Sequence, residues 1–164
     1  MQNWQEEYKR KLISAEEAAS KVKSGDNVAF TAGREALTVG MAIAARLGEL
    51  QGVKVAVPSP GYDFGWYDEG WDSAFEITIS WPTATVQDML DQKRCDVNLP
   101  LIIPFSTEGE PPDVLLTEVT PPDERGFCSF GASLWSKRQQ IKHAKLTIAE
   151  VNDRIIRTHG ENYV

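Results

Sequence analysis

Two short loops in this 164-residue sequence carry residues that could hold a carboxylate, a phosphate or a thioester oxygen. The first is Thr31-Ala32-Gly33-Arg34-Glu35, after a β-rich run, and the second is Ser129-Phe130-Gly131-Ala132-Ser133. Each has a glycine that lets a ligand come close to the backbone. Each also precedes a predicted helix, whose first N–H groups have no acceptor within the helix. Arg34 adds a planar fork of donors that matches a carboxylate. The candidate substrate-binding residues are therefore Thr31, Gly33, Arg34, Glu35, Ser129, Phe130 and Gly131. For Arg34 the competing role is an ion pair with Glu35 or another acid. No nucleophile–base pair can be read, so no catalytic residue is assigned. His143 sits in a predicted helix beside Lys142 and Lys145 and reads as solvated. Asp123 and Glu124 read as turn residues, since Asp bonds back to its own backbone. The two histidines are 16 residues apart, and Cys95 and Cys128 have no CxxC partner, so no metal site is expected. Neither loop is a GxGxxG or Walker A stretch, which leaves a nucleotide site without a motif.

The elements that must position these loops follow from periodicity. Trp4, Tyr8 and Leu12 recur at helical spacing. Ser14-Ala15-Glu16-Glu17 is a capping box that opens a helix to about Lys23, with Gly25 as the stop. Residues 27–31, 53–57, 75–81, 113–119 and 146–151 read as strands, with a further apolar strand at 99–103 and a short run at 127–130. Residues 37–50, 83–93 and 133–144 read as helices. The alternation predicts one α/β domain over residues 1–164, with a mostly parallel sheet and helices on both faces. Val28, Phe30, Val55, Leu115, Ile148 and Val151 are expected in its core strands. Ligands of such sheets bind beyond the carboxyl ends of the strands, where both loops fall. Residues 60–73 crowd Tyr62, Phe64, Trp66, Tyr67 and Trp71 into a Gly- and Asp-rich segment, which either packs back on the domain or forms a partner surface.

Composition sets outer limits. The hydrophobic share of 41% and charged share of 25% are ordinary for a globular domain. A formal net charge of −7 argues against non-specific binding to nucleic acid, which needs a basic surface. No apolar run approaches the roughly 20 residues of a membrane span. Residues 1–7 are polar and acidic, so no export signal is expected and a cytoplasmic location is. Two cysteines are too few for a disulfide framework and read as reduced, buried thiols.

Residues 121–133, Pro-Pro-Asp-Glu-Arg-Gly-Phe-Cys-Ser-Phe-Gly-Ala-Ser, closely resemble the PPDE-x-G-(Y/F)-CS-(F/L)-G-x-S stretch of the acetyl-CoA hydrolase and 4-hydroxybutyrate CoA-transferase family. Ile148-Ala149-Glu150-Val151-Asn152, followed by Arg157-Thr158-His159-Gly160, resembles the IAEVN and RT-x-G stretch that follows it there. The opening, residues 8–18 and 23–28, also fits the family start. The likeness covers the whole chain and is weakest over residues 58–105. Three positions depart from the family pattern: Ala36 stands where Pro is common, Trp135 where Asp is common, and Asp153 where Pro is common.

The resemblance implies the N-terminal half of a class I-type CoA-transferase, with an acyl-CoA and a small carboxylate as substrates and no separate cofactor. In that family a second α/β half carries the glutamate that attacks the acyl-CoA and a glycine-rich stretch at the oxyanion. No acid here matches that glutamate. The resemblance thus implies a catalytic half supplied in cis or as a second chain, an oligomeric enzyme, and inactivity of this chain alone. Trp66, Tyr67, Trp71 and Trp135 are the expected docking residues. Acyl-CoA hydrolysis by the same glutamate and a non-catalytic binding module are the alternatives, the second favoured by the aromatic segment.

Overall fold

The structure, a computed structural model, describes residues 4–98, 110–133, 135–159 and 163–164. Six strands among the described residues form one sheet: β1 (Asn27–Phe30), β2 (Val53–Val57), β3 (Phe75–Ile79), β4 (Asp96–Val97), β5 (Val114–Val119) and β6 (Leu146–Val151). Their order is β4-β3-β2-β1-β5-β6, and every neighbouring pair is parallel. Among the described residues there are five α-helices: α1 (Trp4–Lys11) and α2 (Ala15–Ala19) before β1, α3 (Leu37–Ala44) between β1 and β2, α4 (Gln87–Asp91) between β3 and β4, and α5 (Lys137–His143) between β5 and β6. The strand expected at 99–103 lies outside the described residues.

Period-2 alternation decides which face of the sheet makes the core. Val28, Phe30, Val55, Ile77, Val114 and Leu116 are in register across the sheet and share one buried cluster. Ala18 and Ala19 of α2, Val39 and Ile43 of α3, and Met89 of α4 close over that face. β2 and β3 therefore read buried–exposed, while β5 is buried on both faces. The β5–β6 connection runs the opposite way along the sheet from β1–β2, so a right-handed crossover puts α5 on the opposite face from α3. Ile148 and Val151, expected in the core, are half-buried because β6 is an edge strand.

The aromatic segment packs inward. Trp66 is 0% exposed and Tyr67 5%, whereas Trp135 is 53% exposed. Phe64 and Trp66 have ring centroids 4.7 Å apart, and Trp66 lies 5.4 Å from Phe75. Gly40 makes room for this stack, since a Cβ there would come 2.4 Å from the Phe64 ring. Trp66 and Tyr67 are thus core residues rather than docking residues, Trp71 is half-buried, and only Trp135 of the four is exposed. Burial of these large rings outweighs the polar, Gly-rich character of the surrounding chain.

Helices are shorter than the periodicity predicts. After Ala44 the chain tightens into three-residue turns, Arg46 to Ile43 and Leu47 to Ala44, and Gly48 turns left-handed at φ +95°. Helix α2 similarly gives way to three-residue turns at Lys21 and Val22. The expected strand at 127–130 is instead a loop with one bridge, from Ser129 to Tyr163.

Candidate functional site

The strand order reverses between β1 and β5, which places a crevice beyond their carboxyl ends. Both candidate loops sit there and touch. Ser133 Oγ donates to the Ala32 carbonyl at 2.8 Å. Gly33 takes φ +106°, and a Cβ on it would fall 2.2 Å from Ser133 Oγ. A side chain is therefore excluded twice, by backbone conformation and by the other loop. Thr31 is buried below, its hydroxyl 3.0 Å from that of Thr117 and its N–H bonded to Leu116.

Arg34 reaches out of this floor with its side chain 58% exposed. Its Nε donates to Glu118 Oε2 at 2.8 Å, and the ion pair lifts the guanidinium further above its ordinary value. Glu118 is 3% exposed, and its other oxygen accepts from Asn152 Nδ2 at 2.6 Å. The ion pair with another acid thus exists, yet it uses only the inner edge of the fork. The outer edge has no hydrogen-bond partner among the described residues and remains able to bind a carboxylate.

Neither helix start serves as expected. At α3, Glu150 accepts from Val39 N–H at 3.0 Å and from Thr38 Oγ1 at 3.0 Å, so an internal carboxylate already caps that terminus. After the second loop, Ser136 is left-handed at φ 52°, and α5 begins only at Lys137.

Glu35 is 3% exposed. Its Oε2 accepts from the N–H groups of Gly61 and Tyr62, both at 3.1 Å, which ties the first loop to the loop after β2. Its Oε1 is buried without a hydrogen-bond partner among the described residues. Burial pushes the carboxyl up to about 7, partly opposed by those two N–H groups. Glu35 positions a loop and does not pair with Arg34.

Ser129, Phe130 and Gly131 are all buried. Ser129 Oγ accepts from Gly131 N–H at 3.2 Å and from Thr158 N–H at 3.1 Å, so its hydroxyl is part of the scaffold. Thr158 Oγ1 in turn donates to the Gly131 carbonyl at 2.8 Å. Arg157 donates to Thr120 Oγ1 at 2.9 Å, to the Pro121 carbonyl and to the Phe127 carbonyl. Asp123 Oδ1 accepts from Arg125 and Phe127 N–H groups, both at 2.9 Å, which is its turn-making role. The two motif blocks, over 121–133 and 148–159, are therefore one hydrogen-bonded unit that holds the second loop against the first.

Sequence reasoning missed Glu118, Asn152, Glu150 and Lys137. Glu118 is a charged residue inside the mostly apolar strand β5, which is a usable signal. Lys137 is 1% exposed with its ammonium 5.9 Å above the Phe130 ring, and nothing in its basic local sequence distinguishes it. A separate pocket of about 650 Å³ lies around the Pro122–Phe127 turn, Arg157, His159 and Tyr163. Among the described residues no His, Cys, Asp or Glu group could hold a metal, and no helix is long and apolar enough to cross a membrane.

No protein-family model matches the chain. The 4-hydroxybutyrate coenzyme A transferase of Clostridium kluyveri is 31% identical over 98% of this chain and 39% of its own length. The succinyl-CoA:cyclohexane-1-carboxylate CoA transferase of Geobacter metallireducens is 34% identical over 99% and 38%. RipA from Yersinia pestis superposes with a TM-score of 0.83 at 20% identity, covering 99% of this chain and 41% of that one. One chain of a variant of the decarboxylase AibA/AibB superposes with a TM-score of 0.59 at 16% identity, over 92% of this chain and 77% of that one. The last two likenesses show the fold alone. The chain spans less than half the length of the curated relatives it matches, and over nearly all of its own length it belongs to the CoA-transferase family.

Proposed function

We propose that this chain is the N-terminal half of an acyl-CoA:carboxylate CoA-transferase and forms one wall of its substrate cleft. The observation that carries this is the meeting of the two loops at the sheet's switch point, with the outer edge of Arg34 presented beside them. The chemistry needs a carboxylate nucleophile from the other half of the protein, in cis or as a second chain. That glutamate attacks the acyl-CoA carbonyl and expels CoA thiolate, leaving a mixed anhydride. The thiolate then attacks the glutamyl carbonyl, releasing the first carboxylate and leaving a glutamyl-CoA thioester. The incoming carboxylate reverses both steps and leaves as the new acyl-CoA. Coenzyme A is carried as a substrate.

The Arg34 fork would hold the small carboxylate, while Thr31, Gly33 and the buried Ser129-Phe130-Gly131 turn shape the floor. Glu35 fixes the loop after β2 beside them. Water in place of the second carboxylate gives the hydrolase variant. The relatives' names favour transfer. The binding-module alternative loses the feature that favoured it, since the aromatic segment is core. A cytoplasmic oligomer completes the proposal. The test is CoA exchange between acetyl-CoA and butyrate by the complete enzyme carrying Arg34→Ala. A KM for butyrate raised about tenfold or more, the worth of a charged hydrogen bond, supports it. An unchanged kcat/KM for every carboxylate acceptor sinks it.

A further inference from the structure

Lys137 is the least exposed charged side chain among the described residues. Its ammonium lies over the Phe130 ring at 5.9 Å and makes no hydrogen bond among the described residues. The acid that faces it, Glu118, is already committed, one oxygen to Arg34 and the other to Asn152. Glu150, on the adjacent strand, gives both oxygens to the start of α3. Burial lowers the ammonium to about 8, partly opposed by Glu118. An ammonium held out of water without a matched anion destabilises the fold. Such a group is expected where an anion arrives during function, and Lys137 shares Glu118 with Arg34 at the reversal of strand order.

We infer that Lys137 is a further binding residue of this cleft, and that its ammonium and the Arg34 fork together take the carboxylate of the small acid. The inference rests on the cleft proposed above. It assigns the two cations different tasks. Arg34, always charged, steers the carboxylate in from solvent. Lys137, in the drier position, bonds it only while protonated, so binding weakens as pH rises through the ammonium's own titration. Glu118 holds Arg34 by Nε and raises the Lys137 ammonium, which makes it a positioning residue for both.

Two measurements test this. In the complete enzyme, Lys137→Met should raise KM for butyrate about tenfold or more while leaving the melting temperature unchanged or higher, since a buried charge is replaced by a similar apolar volume. The wild-type fall in kcat/KM near pH 8 should vanish in that variant and move to higher pH in Lys137→Arg. Unchanged butyrate KM and an unchanged alkaline limb in Lys137→Met overturn the inference. In the 164-residue chain itself, an NMR titration of the Lys137 ammonium should give a midpoint that rises when butyrate is added. A midpoint indifferent to butyrate overturns it as well. A complete enzyme that moves no CoA in wild-type form sinks the transfer reading instead, and the NMR midpoint still decides whether Lys137 binds a carboxylate.

Discussion

Gly33→Ala sets a methyl group where the two loops meet. It would stand 2.2 Å from Ser133 Oγ and 2.5 Å from Ser133 Cβ. Rotation of the Ser133 hydroxyl clears the first contact and leaves the second, so the backbones must part. A non-glycine residue at φ +106° costs about 1–3 kcal/mol. Overpacking adds about 1–3 kcal/mol, and loss of the Ser133–Ala32 hydrogen bond about 1 kcal/mol. These terms overlap, so a loss of roughly 3–5 kcal/mol is expected, a large share of the 5–15 kcal/mol that typical domains have. Urea unfolding followed by tryptophan fluorescence reads it, because Trp66 sits in the core. Adding Ser133→Gly removes both clashing atoms and should return about 1–3 kcal/mol, leaving the backbone cost. Activity of the complete enzyme should fall with the single variant and recover only in part with the double. A Gly33→Ala chain with the wild-type midpoint, or a double variant no better than the single, would refute the loop contact on which the site is built.

Other outcomes follow from the same geometry. Glu35 holds its proton to about pH 7 when folded, against an ordinary value of 4.5, so the unfolded chain ionises first. Its contribution is complete below about 4.5 and is lost as pH rises through 7, by roughly 3 kcal/mol. Glu35→Gln should therefore match wild type in thermal melts at pH 4 and exceed it at pH 8, and parallel pH profiles would contradict this. Gly40→Ala should lower the melting temperature despite better helix propensity, because the overlap with Phe64, about 1–3 kcal/mol, exceeds the propensity gain of about 1 kcal/mol. Arg34→Ala should lower the melting temperature as well as weaken carboxylate binding, because it takes the ion-pair partner from Glu118, which is 3% exposed; an unchanged melting temperature would contradict this. Glu118→Gln should weaken the same binding and, unlike Arg34→Ala, shift the alkaline limb of the pH profile by removing the charge that faces Lys137.

What was legible in the sequence depended on range. The apolar alternation of Val53-Lys54-Val55-Ala56-Val57 and of Phe75-Glu76-Ile77-Thr78-Ile79 is a local property, and both strands form with the expected buried faces. The Ser14 cap was legible for the same reason, its hydroxyl accepting from Glu17 N–H. Helix ends were not, because Arg46 leaves α3 to bond the carbonyls of Ala19 and Val22, a contact made only after the chain folds. The positions of both site loops followed from the strand–helix alternation. The roles within them did not: Glu150 reaches the start of α3 from 111 residues away, and Arg34 meets Glu118 across 84. The aromatic segment allowed two readings, and the turns at its glycines bend Trp66 and Tyr67 back into the core, which bears out the inward packing and not the docking role of these two rings.

The central claim is that the nucleophile lies outside these 164 residues. The complete enzyme can be incubated with acetyl-CoA, the glutamyl-CoA thioester reduced in place with borohydride, and the reduced residue located by peptide mass spectrometry. The account predicts that every peptide of this chain is unmodified, that the reduced glutamate lies in the other half, and that this chain incubated alone shows no reduced residue. A reduced residue at Glu35, Glu124 or any other acid of this chain would contradict it and move the chemistry into this domain.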